Sequence, residues 1–191
     1  MEPFEYVVVL TSLILGLGIA QILTNVADML SHLRHIKLSL PHSLLVVCIF
    51  FLHIQEWWIN YQYSHTVQQW TLYIVLSILT YPILLFMLAR MLFPTGIRGD
   101  ETDLEAYFDD QWRWLYGLVL GTVFISIWQN SYIQGLELMS SWPQFTFGAV
   151  FTAFLLIKQP PQWAHTLLQV LFILSMVAYI ILEDTVLMAP K

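Results

Sequence analysis

The amino-acid sequence predicts an all-α, polytopic integral membrane bundle of six transmembrane helices with its N-terminus outside, and three observations point there. Hydrophobic residues make up 58% of the 191 and charged residues only 10%, where soluble domains carry roughly 25% charged. The mean hydropathy is +0.69. The apolar residues fall in blocks of roughly 14 to 21, and about 20 residues rising about 1.5 Å each cross roughly 30 Å of hydrocarbon. Finally, Lys and Arg cluster in alternate loops, as the cytoplasmic side of a membrane protein requires.

The first block, 6–26, follows Glu2 and Glu5 with no Lys or Arg and carries no small-x-small cleavage signal. It therefore reads as a retained span and not as a secretory leader. Blocks 43–61, 72–91, 114–132 and 163–182 are also of spanning length. A sixth, 145–157, is shorter, uncharged, and followed by Lys158, which can snorkel, and by the turn signal Pro160-Pro161. It fits one arm of a tight hairpin.

With six spans, one side holds Arg34, Lys37, Arg90, Arg98, Arg113 and Lys158 and the other only Lys191. Both termini are then periplasmic or extracellular. If 145–157 does not cross, Lys158 and Lys191 exchange sides and the bias is unchanged, so charge alone leaves five spans open; the hairpin favours six. Trp57, Trp58, Tyr61, Tyr63, Trp70, Trp128, Tyr132 and Trp142 are expected to mark the outer interface, and Trp112, Trp114 and Trp163 the inner one.

Six of the thirteen acids lie in 100–110, so the net charge of -6 is local and does not select partners. Thr102 and Glu105 form a capping-box pair, and Leu104, Tyr107, Phe108 and Trp112 share a helix face. An amphipathic cytoplasmic helix over 102–112, lying on the inner membrane surface and running into the fourth span, is expected. Nothing is long enough for a separate soluble domain, so 1–191 reads as a single transmembrane domain. Pro82 is expected to kink the third span. Gly117 with Gly121, and Ser12 with Gly16, are spaced for close helix approach.

The second span carries the chemistry. Counting from Ser43 at the inner boundary, His53 lies at about 15 Å depth and Glu56 at about 20 Å. A carboxylate there must face protein or water, not lipid. His53, Glu56 and Asn60 share a helix face by their i, i+3, i+7 spacing, with Trp57 beside them. At similar depth fall Thr11, Ser12, Ser77, Ser126, Gln129, Ser175 and Tyr179. His53, Glu56, Asn60, Trp57 and Gln129 are the candidate ligand- or ion-binding residues of an outward-facing polar pocket suited to a proton, a cation or an amphipathic ligand. The plainer alternative is that Glu56 and His53 hydrogen-bond each other and nearby hydroxyls to hold helices together.

Other chemistries are weaker. The lone cysteine, Cys48, excludes an internal disulfide, a CxxC pair and a cysteine-rich metal site. Haem needs paired axial ligands at matched depth, and His165 lies near the inner end of the last span, far from His53. No metal ligand set and no cofactor are called for. His32, His35 and His42 read as a solvated basic loop with Arg34 and Lys37, touching anionic lipid. No nucleophile constellation, phosphate loop or nucleic-acid patch is visible, so the reading leans away from an enzyme.

Gln55-Glu56-Trp57-Trp58 closing the second span, Leu92-Phe93-Pro94 closing the third, and Asp103-Leu104-Glu105-Ala106-Tyr107-Phe108 leading to Arg113-Trp114 resemble a group of small bacterial multi-span membrane proteins of unknown function. The resemblance covers roughly the first two thirds of the chain and implies a bacterial inner membrane, with no catalytic residue. The functional expectation is a small transporter or channel-like protein, or a subunit of one, centred on Glu56. Its partners are the bilayer and either a second copy or another membrane subunit. The alternative is a non-transporting scaffold or sensor presenting 100–110 to a cytoplasmic partner.

Overall fold

The computed structural model describes residues 3–94 and 102–182. They are nearly all helical. The elements run α1 (Pro3–Ser31), a 3-10 turn (Leu33–His35), β1 (Ile36–Lys37), α2 (Leu40–Asn60), α3 (Tyr63–Thr66), α4 (Leu72–Met91), β2 (Thr102–Asp103), α5 (Leu104–Tyr132), a second 3-10 turn (Leu138–Ser141), α6 (Trp142–Leu156) and α7 (Gln162–Leu182). Each apolar block of the sequence lies mostly within one helix.

Four helical stretches are long and apolar enough to cross a membrane: Pro3–Ser31, Leu40–Thr66, Leu72–Met91 and Gln162–Tyr179. α5 has the length, at 29 residues, but its apolar stretch is flanked by Asp109, Asp110 and Arg113 at one end and by Gln129 and Asn130 at the other. α6 has 15 residues, fewer than the roughly 17 a span needs.

Helix starts follow local chemistry. Ser39 caps α2, its hydroxyl accepting from the His42 amide at 3.5 Å, with Pro41 in the first turn where a missing N–H costs nothing. Thr71 caps α4 in the same way through Ile74. α5 corrects the sequence reading. Its cap is Asp103, not Thr102: the Asp103 carboxylate accepts from the Glu105 and Ala106 amides, both at 2.9 Å, while Thr102 pairs in β2. The 102–112 helix runs on into the fourth apolar block, as expected. It is the first part of one continuous α5, and its apolar face, Leu104, Phe108 and Trp112, is buried in the protein core. The start of α5 is anchored to the bundle, so that face packs on protein.

The anchor is a two-residue parallel ribbon in which Ile36 pairs with Thr102 and Lys37 with Asp103. Lys37 Nζ adds ion pairs to Glu105 at 2.9 Å and Asp103 at 3.3 Å. Arg113 Nη2 donates to the carbonyls of Ile157 and Lys158, each at 2.9 Å, tying α5 to the end of α6. The last carbonyls of α4 also find donors, because Tyr107 OH donates to Met91 O at 2.8 Å and His42 Nε2 to Leu92 O at 2.6 Å. His42 is therefore fully buried and is no part of a solvated basic loop, contrary to the sequence expectation.

α2 is the central helix, packed against α1, α4, α5 and α7; α1 also packs on α4, α4 on α5, and α5 on α6. Phe147 and Phe151 of α6 meet Phe172 of α7 edge to face. Pro82 is buried inside α4, which stays helical through it. The small-residue pairs do not make the close approaches expected of them. A Cβ on Gly16 or Gly117 would meet nothing within 4 Å, and one on Gly121 only Leu84 Cδ1 at 3.8 Å. The close approach occurs instead at Gly18, against the ring of His53.

Candidate functional site

Four of the five candidate residues are buried: His53 at 0%, Gln129 at 2%, Asn60 at 3% and Glu56 at 4% exposure, whereas Trp57 is 52% exposed. One helical turn accounts for the split. Residues 53, 56 and 60 follow the buried stripe of α2, and position 57 has rotated past its edge.

His53 and Glu56 do not bond each other. His53 Nδ1 lies 2.7 Å from the Ile49 carbonyl, which can only accept, so Nδ1 carries the hydrogen. Nε2 is then a bare acceptor, buried without a partner and pressed on Gly18 of α1. Glu56 belongs to a different group. Asn60 Nδ2 donates to the Glu56 backbone carbonyl at 2.8 Å and to its carboxylate at 3.4 Å. The Tyr63 and Tyr81 hydroxyls lie within electrostatic reach of that carboxylate.

Tyr63 comes from the turn helix α3, which folds the chain back so that a tyrosine expected at the outer interface is buried instead. Its hydroxyl donates to Gln129 Oε1 at 3.4 Å, and Gln129 Nε2 donates to the Ser77 carbonyl at 2.9 Å, which crosslinks α3, α5 and α4. The Tyr81 hydroxyl of α4 lies within electrostatic reach of Thr122 of α5, whose own hydroxyl donates to the Val119 carbonyl at 2.7 Å. Glu56, Asn60, Tyr63, Tyr81, Thr122 and Gln129 thus form one closed polar cluster among α2 to α5. Among the described residues, no Lys, Arg or His forms an ion pair with Glu56.

The wider polar layer expected from depth does not converge. The Thr11, Ser77 and Ser175 hydroxyls each donate to a carbonyl of their own helix. Tyr63, Tyr81 and Thr122 carried no depth or spacing signal strong enough to select them. Among the described residues, no group of three His, Cys, Asp or Glu side chains is placed to hold a metal ion.

A second polar group, also missed, joins α2, α5 and α7. Tyr116 OH lies 3.1 Å from His165 Nδ1, Gln169 Nε2 donates to Tyr116 OH at 3.0 Å, and the Cys48 thiol points at the Gln169 carbonyl at 3.9 Å. All four residues are buried. Trp112, expected at the inner interface, is buried beside them. Comparison of the chain with protein-family models, curated proteins and solved structures found no match.

Proposed function

We propose that this chain is a multi-pass membrane protein of six crossings, forming a single transmembrane domain with both termini outside, and that it moves or senses a small cation, in the first place the proton, at Glu56. The observation that supports this most is a carboxylate buried at the centre of an apolar helical bundle with amide and hydroxyl neighbours but no cationic partner. Burying an unpaired charge is costly, and in lipid-embedded bundles such groups mark ion or proton pathways. Asn60, Tyr63, Tyr81, Thr122 and Gln129 supply the hydrogen-bonding surroundings in which a proton or a desolvated cation exchanges on that carboxylate. Glu56 is almost wholly buried, so a cation reaching it requires α2 to shift against α4 or α5. The resemblance noted above favours a bacterial inner membrane, with the chain working alone, as a second copy, or beside another membrane subunit.

The scaffold alternative has less support. Of the acidic stretch, Asp100 and Glu101 lie outside the described residues, Asp103 and Glu105 bind Lys37, and Asp109 accepts from Gln162. Asp110 accepts from Gln111, so four of its carboxylates have internal partners.

The test is proton flux in liposomes loaded with a pH-reporting dye. The wild-type chain is expected to dissipate an imposed pH difference, and Glu56→Gln, which keeps the shape and the Asn60 contact, to abolish this while remaining folded. Equal flux from the two proteins, or none from either, sinks the proposal.

A further inference from the structure

At the end of the bundle carrying Arg113 and Lys158, His165 is enclosed by four aromatic rings. Its ring centroid lies 5.1 Å from those of Phe108, Trp112 and Phe154 and 5.6 Å from that of Tyr116, and His165 is 1% exposed. Phe108, Trp112 and Tyr116 follow at i, i+4 and i+8 along α5, Phe154 comes from α6, and the histidine from α7. Three of the rings stand edge to face with the imidazole, at interplanar angles of 83°, 70° and 64°. Ring faces at this distance attract a cation.

Hydrogen accounting adds an independent observation. The Tyr116 hydroxyl has one hydrogen. It accepts from Gln169 Nε2 and so is free to donate to His165 Nδ1. This leaves Gln169 Oε1 buried with no partner. A buried acceptor without a donor is rare in folded proteins and calls for an explanation.

We propose that His165 is a proton-binding site whose occupied form uses that orphan oxygen. One proton adds to the Nδ1 lone pair. Nδ1–H then donates to the Tyr116 oxygen, and Tyr116 keeps its own hydrogen but turns it to Gln169 Oε1, which half a turn of the amide brings to where Nε2 now lies, while Nε2 gives up its bond to Tyr116 and takes the place Oε1 leaves. No other bond to hydrogen is made or broken, and the imidazolium sits within the aromatic box. The site senses acid on the side where Arg113 and Lys158 lie.

Among the described residues, the titratable groups facing the site are few. Tyr116 faces it from α5, and Cys48 of α2 stands one bond away through the Gln169 carbonyl. No titratable group of α6 touches it. Asp109 is bonded to Gln162, and Arg113, bonded to the Ile157 and Lys158 carbonyls, sets its guanidinium over the Trp112 ring at 4.9 Å. The rearrangement acts where α5 meets α7; the Cys48 thiol of α2 meets the Gln169 backbone carbonyl, which does not turn.

The experiment is nuclear magnetic resonance of the full chain in detergent micelles, with labelled histidine and glutamine side chains, from about pH 8 to about pH 3.5. The expected result is that Nδ1 of His165 passes from bare to protonated while the Gln169 side-chain amide signals change over the same range. Gln169→Leu, which removes the acceptor, is expected to weaken proton affinity at His165 by about tenfold, one pH unit. Gln169→Glu, which retains an acceptor and guards against a folding failure of the leucine variant, is expected to keep or strengthen it. A His165 that stays neutral throughout, an unchanged midpoint in Gln169→Leu, or a weakened one in Gln169→Glu overturns the proposal.

Discussion

The imidazole of His53 occupies the space that a side chain on Gly18 would need: a Cβ there would lie 2.8 Å from His53 Cδ2 and closer still to Nε2. Glycine at 18 is what lets α1 and α2 pack with a histidine between them. Gly18→Ala is expected to destabilise the folded chain by about 1–3 kcal/mol, the usual cost of overpacking. Gly16→Ala, where a Cβ meets nothing within 4 Å, is expected to change stability by less than about 0.5 kcal/mol. Denaturant titration in detergent compares the two, and equal effects would disprove the contact's importance.

His42→Ala removes a buried donor from the end of α4 along with a ring set edge-on to Phe93. The orphaned Leu92 carbonyl and the lost packing together are expected to cost about 2–4 kcal/mol. A loss below about 1 kcal/mol, the range of ordinary surface substitutions, would show that His42 is not the cap described.

Arg113 holds two carbonyls with one nitrogen at the turn after α6. Arg113→Ala is expected to change global stability little, by under about 1 kcal/mol because the group is exposed, yet to loosen that turn. Limited proteolysis around Lys158 reads this directly: faster cleavage is expected, and an unchanged rate would mean the turn is held by other contacts.

The Lys37 clamp sets a pH window. Hydrogen bonding to Glu105 and then Asp103 raises the Lys37 ammonium above its ordinary 10.5, while the Ala106 amide, ahead of Lys37, holds Asp103 below its ordinary 3.8. The lysine's contribution is complete below 10.5 and disappears as pH climbs past its raised value. The carboxylate's is complete above 3.8 and disappears as pH falls past its lowered value. Amide exchange at 36–37 and 102–103, corrected for its intrinsic pH dependence, is thus expected to be protected evenly between those limits and to open beyond them. Loosening near neutral pH would contradict the assignment.

The helices were legible in the sequence because long apolar runs without strand punctuation leave the backbone one way to satisfy itself. The burial of His53, Glu56, Asn60 and Gln129 was legible too, since helical spacing puts the α2 trio on one stripe. What spacing within one helix does not encode is the rotation of one helix against another. Tyr63 and Trp112 show this, read as interface aromatics and found inside. The aromatic box of His165 draws on three helices, so no local pattern announced it. Likewise the cap of α5 slipped by one residue because Thr102 had a competing ribbon partner, Ile36, 66 positions upstream.

That ribbon also sets an order of events during synthesis. Lys37 cannot meet Asp103 until 66 further residues have been made, and α2 and α4 lie between them. The exit of α1 and the entry of α5 stay unlatched until then, so a chain truncated before position 102 would leave the ribosome with its first three long helices held by side-chain packing and the His42–Leu92 bond alone.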